Sequence, residues 1–298
     1  MIQSDFVGTL IAWAVAVLIY PGLLFAVALM LGGEWVLSAL RPLLTSRTRR
    51  VQSRPRSFLQ PFYDVRQLAG RTPTSHSLFR AAQLVAPLLA FAVLPFPGNP
   101  VGPTAGNLLL VPGLLAVQPM FSALLRLDSS DLFTYKNGAQ IMGRLVNGLF
   151  PVLAAVAALA EIGQSKSLYI SGLGAAPQSA GQASVRLLAG AALLVALPFW
   201  LDARGLQAKE SAPTYAGRLL QRGAIAAFWT LLVLPMPGDL PWAALEAIAG
   251  TLFSYIAMRL VAARIAPTLR ERDITRFVWA TAGPLAAASL AIAFMWGA

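Results

Sequence analysis

The chain has 298 residues, 57% of them hydrophobic and only 12% charged, with a mean hydropathy of +0.66. Soluble domains carry about 25% charged residues, so this composition excludes a soluble globular protein and predicts an all-α integral membrane protein. The net charge of +11 calls for no nucleic acid, because the preference of Lys and Arg for the cytoplasmic face, together with anionic lipid, accounts for it.

A helix of about 20 apolar residues crosses the ~30 Å hydrocarbon core with its backbone bonded internally. Eight such runs are legible, at about 7–33, 78–96, 106–126, 143–163, 184–201, 220–236, 241–262 and 277–297. Pro21, Pro87, Pro112, Pro198 and Pro284 fall inside them and predict kinks. The opening "MIQSDFVGTLIAW" has no basic n-region and no small-residue cleavage site, so the first run is expected to stay as a helix. No segment between runs is long enough for a core of its own, which makes residues 1–298 one polytopic membrane domain.

Cationic loops resist translocation. Placing residues 34–77 in the cytoplasm and alternating through eight helices puts nearly all Lys and Arg on that side and leaves Lys166 and Arg186 outside. Both termini are then expected on the outer side of a bacterial-type inner membrane. The connector 34–77 is the basic element of the chain: Arg47, Arg49, Arg50, Arg54, Arg56, Arg66 and Arg71 outweigh Asp64 between residues 47 and 71. Its second half, "FLQPFYDVRQLAG", places Leu59, Phe62, Tyr63 and Val65 to Leu68 on an amphipathic pattern after Pro61, as a segment lying along the interface or docking a soluble partner would.

The stretch "RRVQSRPRSFLQPFYDVRQLAGR" followed by "SLFRAAQLVAPLLAFAVLPF" resembles the first cytoplasmic loop and second membrane helix of the NADH dehydrogenase subunit 1 family. That family contains the membrane subunit of respiratory complex I on which the quinone module docks, and its counterpart in group 4 nickel-iron hydrogenases of the formate hydrogenlyase type. Two further loops fall in the same order. "LLRLDSSDLFTYKNGAQIM" is similar to a hydrogenase-type loop through Leu127-Asp128-Ser129, Phe133, Gly138-Ala139 and Met142, and its Asn137-Gly138 reads as a turn. "PFWLDARGLQAKESAPTYAGRLL" looks like the later cytoplasmic loop leading into a Tyr-Ser-Gly turn, here Tyr215-Ala216-Gly217.

The departures are equally specific. The family's Arg-x-Gly-Pro is "SRPRS" here, Gln140 and Ile141 stand where an Arg and a Glu are expected, no Glu precedes Pro151, and Thr214 replaces a Glu. The resemblance implies a membrane-anchor subunit of a respiratory assembly. Its partners are cytoplasmic hydrophilic redox subunits that hold iron-sulfur clusters, and antiporter-like membrane subunits. Arg49, Arg50, Arg54, Gln60, Asp64 and Arg66 are the expected docking residues.

In the family, carboxylates form a polar channel, and a desolvated carboxylate carries protons because its pKa rises toward neutrality. Asp128, Asp202 and Glu210 are the candidates here for a cytoplasmic entrance, each with a basic neighbour to pair with. Glu246, alone in lying inside an apolar run, is a further candidate for the proton pathway, the other reading being a glutamate that faces the interface. No unbroken carboxylate line is visible, so a proton or ion relay, if inherited, is eroded.

Chemistry by this chain alone is not expected. It has no Cys for an iron-sulfur cluster, and one histidine, His76, where haem ligation across helices needs a pair. No cofactor of its own is therefore expected, apart from a quinone. Other readings are a quinone-binding subunit of such a complex, with a pocket between the basic loop and neighbouring helices, or a stand-alone transporter. The transporter would show a midplane ionisable site and repeat symmetry, and the sequence has neither.

Overall fold

The first apolar run does not form one straight rod. In the computed structural model it is divided into α1 (Ile2–Leu18) and α2 (Leu23–Leu44) by a break at 19–22 that contains the cis Tyr20–Pro21 peptide. The structure describes residues 2–44, 58–69, 77–99, 101–163, 168–173, 179–201, 211–234, 240–265 and 271–296. Among them the chain is mostly helical, and no strand longer than the single bridge Asn107–Tyr169 occurs. The connector contributes α3 (Gln60–Ala69), which starts with Pro61 in its first turn, where a missing N–H costs nothing. The helices α4 (Ser77–Val93), the short α5 (Gly102–Ala105), α6 (Leu110–Leu127) and α7 (Leu132–Ile162) follow. A 3-10 turn at Ile170–Leu173 leads to α8 (Ala180–Leu201), α9 (Ala212–Val233), α10 (Leu240–Ile265) and α11 (Glu271–Trp296).

Six stretches are long and apolar enough to cross a membrane: Val7–Leu40, Leu110–Leu127, Leu132–Ile162, Ala180–Trp200, Pro241–Ala262 and Asp273–Met295. Helix α4 is apolar but shorter, at 17 residues. The expected sixth run is absent from these six. Helix α9 carries Arg218, Gln221 and Arg222, and it tolerates them because it runs through the middle of the bundle, packed on α4, α6, α8 and α10, where protein rather than lipid surrounds them.

Two predicted turns are helical instead. Asn137 and Gly138 lie inside α7, which begins eleven residues earlier than the run at 143–163 because Asp131 caps it, accepting from the Phe133 and Thr134 amides at 3.3 and 3.2 Å. Tyr215 to Gly217 fall in the first turns of α9 rather than before it.

Among the described residues the main core is a large apolar cluster that includes Phe91, Phe96, Leu108, Leu115, Leu159, Leu193, Leu197 and Phe228, all close to fully buried, with three small clusters beside it. Helices α7, α8 and α11 pack as one group, and α4, α6, α9 and α10 as another. One end of the bundle gathers residues 94–99, 101–109 and 168–173, which pair through Leu108 N–H to Leu168 O at 2.7 Å and Ile170 N–H to Gly106 O at 2.9 Å. The opposite end carries α3, the 128–131 corner and the start of α9.

Candidate functional site

At the α3 end, local helix geometry selects which side chains meet the bundle. Pro61, Asp64, Val65 and Leu68, spaced three and four apart, are half-buried toward α9, whereas Phe58, Leu59, Phe62, Tyr63, Arg66 and Gln67 are exposed. Of the amphipathic set read from the sequence, Leu59, Phe62, Tyr63, Arg66 and Gln67 are exposed, with Phe62 at 60%, while Val65 and Leu68 are half-buried. Asp64 fastens α3. It accepts from Gln60 Nε2 at 2.9 Å, one turn away, and from the Tyr215 hydroxyl of α9 at 3.3 Å.

Tyr215 precedes the apolar stretch of α9. Burial first, then the nearby Asp64 and Glu34 charges, push its hydroxyl up to about 12, so it remains protonated and donates at neutral pH. The Arg218 guanidinium lies 5.8 Å from the centre of its ring. One turn earlier, the Thr214 hydroxyl donates to Gln83 Oε1 of α4 at 2.7 Å and shares a 2.8 Å bond with Ser211. These side chains meet because α4 and α9 touch backbone to backbone at Gly217, where a Cβ would come within 2.2 Å of the Gln83 carbonyl oxygen.

A second junction joins α2 to α10. Tyr255 is buried, and its hydroxyl donates to Glu34 Oε1 at 2.6 Å. Arg259, one turn further along α10, places Nη2 3.5 Å from the same oxygen. Gly33 makes room for this arrangement, since a Cβ there would lie 2.7 Å from the Tyr255 ring. Arg222 of α9 and Arg259 then line a crevice with Pro198, Ile225, Tyr255 and Met258. The Glu34 charge also acts on the Tyr215 hydroxyl, so the Asp64–Tyr215 and Glu34–Tyr255–Arg259 groups are neighbours at the same end of the bundle.

Of the residues predicted from sequence, Gln60 and Asp64 come together here, and Arg66 is exposed beside them on α3. Asp128 is exposed at the C-terminal cap of α6. Glu246 is exposed on an early turn of α10, next to the outward-facing Trp242 and Leu245, toward the opposite end of that helix from Arg259. Arg49, Arg50, Arg54, Asp202 and Glu210 lie outside the described residues. Sequence reasoning missed the Glu34–Tyr255–Arg259 junction. Its signal was Gly32-Gly33-Glu34 inside an apolar helix, with Tyr255 and Arg259 at helical spacing in another.

The architecture defines the class: a multi-pass α-helical membrane protein with a polar cluster at one end. No family model matches the chain, and no curated protein matches it. Its fold is similar to that of a chain in the structure of the membrane-bound sulfane sulfur reductase, an archaeal respiratory membrane complex. The two superpose with a TM-score of 0.63 at 18% identity, over 91% of this chain and 98% of the other.

Proposed function

We propose that this chain is the membrane-anchor subunit of a complex I-like or group 4 hydrogenase-like respiratory assembly. In this reading eight helices cross the membrane, with α1 and α2 counted as one and α4 and α9 included. The α3 end faces the cytoplasm and both termini face outward. A hydrophilic redox module docks on that end, and antiporter-like subunits pack beside the bundle.

The observation that carries the proposal is α3 itself. A short helix with no buried residue is held on the bundle by the Asp64–Tyr215 bond, and it turns Phe62, Tyr63 and Arg66 outward. Aromatic and arginine side chains together are what protein interfaces favour. The fold shared with a chain of a respiratory membrane complex supports the same reading. An eroded relay also fits, because Asp128 and Glu246 are both exposed and belong to different ends of the bundle.

A photo-crosslinking residue at Phe62 tests the docking face, with one at Trp242 as the control. Docking predicts that Phe62, in native membranes, crosslinks to a cluster-bearing hydrophilic subunit and that Trp242 does not. Equal labelling from both positions, or lipid adducts alone from Phe62, contradicts it.

A further inference from the structure

Three glutamines on three neighbouring helices are sealed inside the bundle. Gln83 of α4 and Gln221 of α9 expose no surface, and Gln118 of α6 exposes 1%. A buried amide group without its hydrogen bonds costs about 1–3 kcal/mol, yet each of these side chains has one atom with no protein partner. Gln83 uses Oε1 to accept from Thr214, which leaves Nε2. Gln221 uses Nε2 to donate to the Leu115 carbonyl at 2.8 Å, which leaves Oε1. In Gln118, Oε1 is buried with no partner.

Contacts on the same helices place the three amides at one depth. Phe79 of α4 stacks on Phe121 of α6 with ring centres 5.0 Å apart. These helices run in opposite directions, so one turn inward from that stack is Gln83 on α4 and Gln118 on α6. Gln118 is one turn from Leu115, the residue that Gln221 binds. Gly217, one turn before Gln221, lies against the Gln83 carbonyl. The three side chains therefore sit within about one helical turn, ~5 Å, of a common level.

We propose that the α4–α6–α9 junction binds one internal water molecule through Gln83 Nε2, Gln118 Oε1 and Gln221 Oε1. One donor and two acceptors match water, which accepts from Gln83 and donates to the other two, in the three-bond coordination typical of buried waters. A metal cation does not fit, because the Gln83 amide would aim its N–H at it. An anion would face two carbonyl oxygens. The water extends the Ser211–Thr214–Gln83 chain to Gln221 and the Leu115 carbonyl, tying three helices together. A primary amide passes on a proton only through its imidic acid tautomer, so this line is a polar joint and not a proton step.

The test is a cryo-EM map of the full chain in lipid nanodiscs that shows other buried waters, together with thermal midpoints of Gln118→Met, Gln221→Met and the double variant. The proposal expects a density peak within hydrogen-bonding distance of all three amides. It also expects a double variant whose midpoint falls by less than the sum of the single shifts, since either substitution alone removes the water. An empty junction in such a map, amides paired directly with one another, or strictly additive shifts would overturn it. If the variants do not fold, the map alone decides.

Discussion

The two ends of the bundle solve the same problem with different chemistry. At the end built from residues 94–99, 101–109 and 168–173, backbone amides and carbonyls pair with each other, and the buried Asn99 completes the set. Its Nδ2 donates to the Ala92 and Leu94 carbonyls at 2.9 and 2.6 Å, and its Oδ1 accepts from the Val101 amide at 3.0 Å. At the α3 end, side chains far apart in sequence do the joining: Asp64 with Tyr215, Gln83 with Thr214, and Glu34 with Tyr255 and Arg259. The first arrangement closes a structure on itself. The second leaves Phe62, Tyr63 and Arg66 exposed on a helix held by charged side chains, the surface on which the proposed partner would dock.

Substitutions separate the two ends. The largest effect is expected from Gly217→Ala, which drives a methyl into the Gln83 backbone and parts α4 from α9. A loss of about 3 kcal/mol or more should appear as a low yield of monodisperse protein in detergent. Asn99→Leu comes next, because it strands two buried carbonyls and an amide. About 2–3 kcal/mol should be lost in the thermal midpoint, with partner binding intact in whatever protein folds. Tyr255→Phe removes one bond to a carboxylate that Arg259 still faces, so about 1–2 kcal/mol is expected. Asp64→Asn should be the mildest for the bundle, below about 1 kcal/mol, since α3 buries no residue. Its effect should instead be seen in partner retention, and in faster proteolysis within residues 58–69. A variant at the closed end that released the partner while leaving stability unchanged would break the comparison.

Much of this was legible in the sequence, for physical reasons. Apolar runs of membrane length follow from the backbone's need for internal hydrogen bonds, so seven of the eight expected runs correspond to single helices; the first run is broken, and α7, α9 and α11 start earlier than their runs. The central helix was harder to place. Arg218, Gln221 and Arg222 lower its hydropathy, and only tertiary burial shows why that is tolerated. Its start was misjudged for the same reason, Tyr215 to Gly217 being read as a turn. The break at 19–22 and the capped start of α7 at Asp131 depend on local bonds that hydropathy does not report.

The candidate site was half visible. Gln60 and Asp64 were named, but their partner Tyr215 lies 151 residues beyond Asp64 and is reached only through the fold. Amphipathic spacing identified α3 but could not tell which of its residues turn inward, because Asp64 takes an inward position normally given to an apolar residue. Glu34 stands just past the first apolar run, where nothing local marks it as a junction residue. Its pairing with Tyr255 required the space left by Gly33, which no pattern in α10 discloses.

In the proposed reading the α3 end carries a redox partner. The most direct measurement is to isolate the tagged full chain from native membranes in mild detergent, with and without charge reversal at Arg49, Arg50 and Arg54. Iron content and mass spectrometry of the co-migrating subunits are then compared. The account predicts iron-sulfur subunits with the unaltered chain and their loss on reversal, with insertion unchanged. A chain that migrates alone and free of iron in both forms would contradict it.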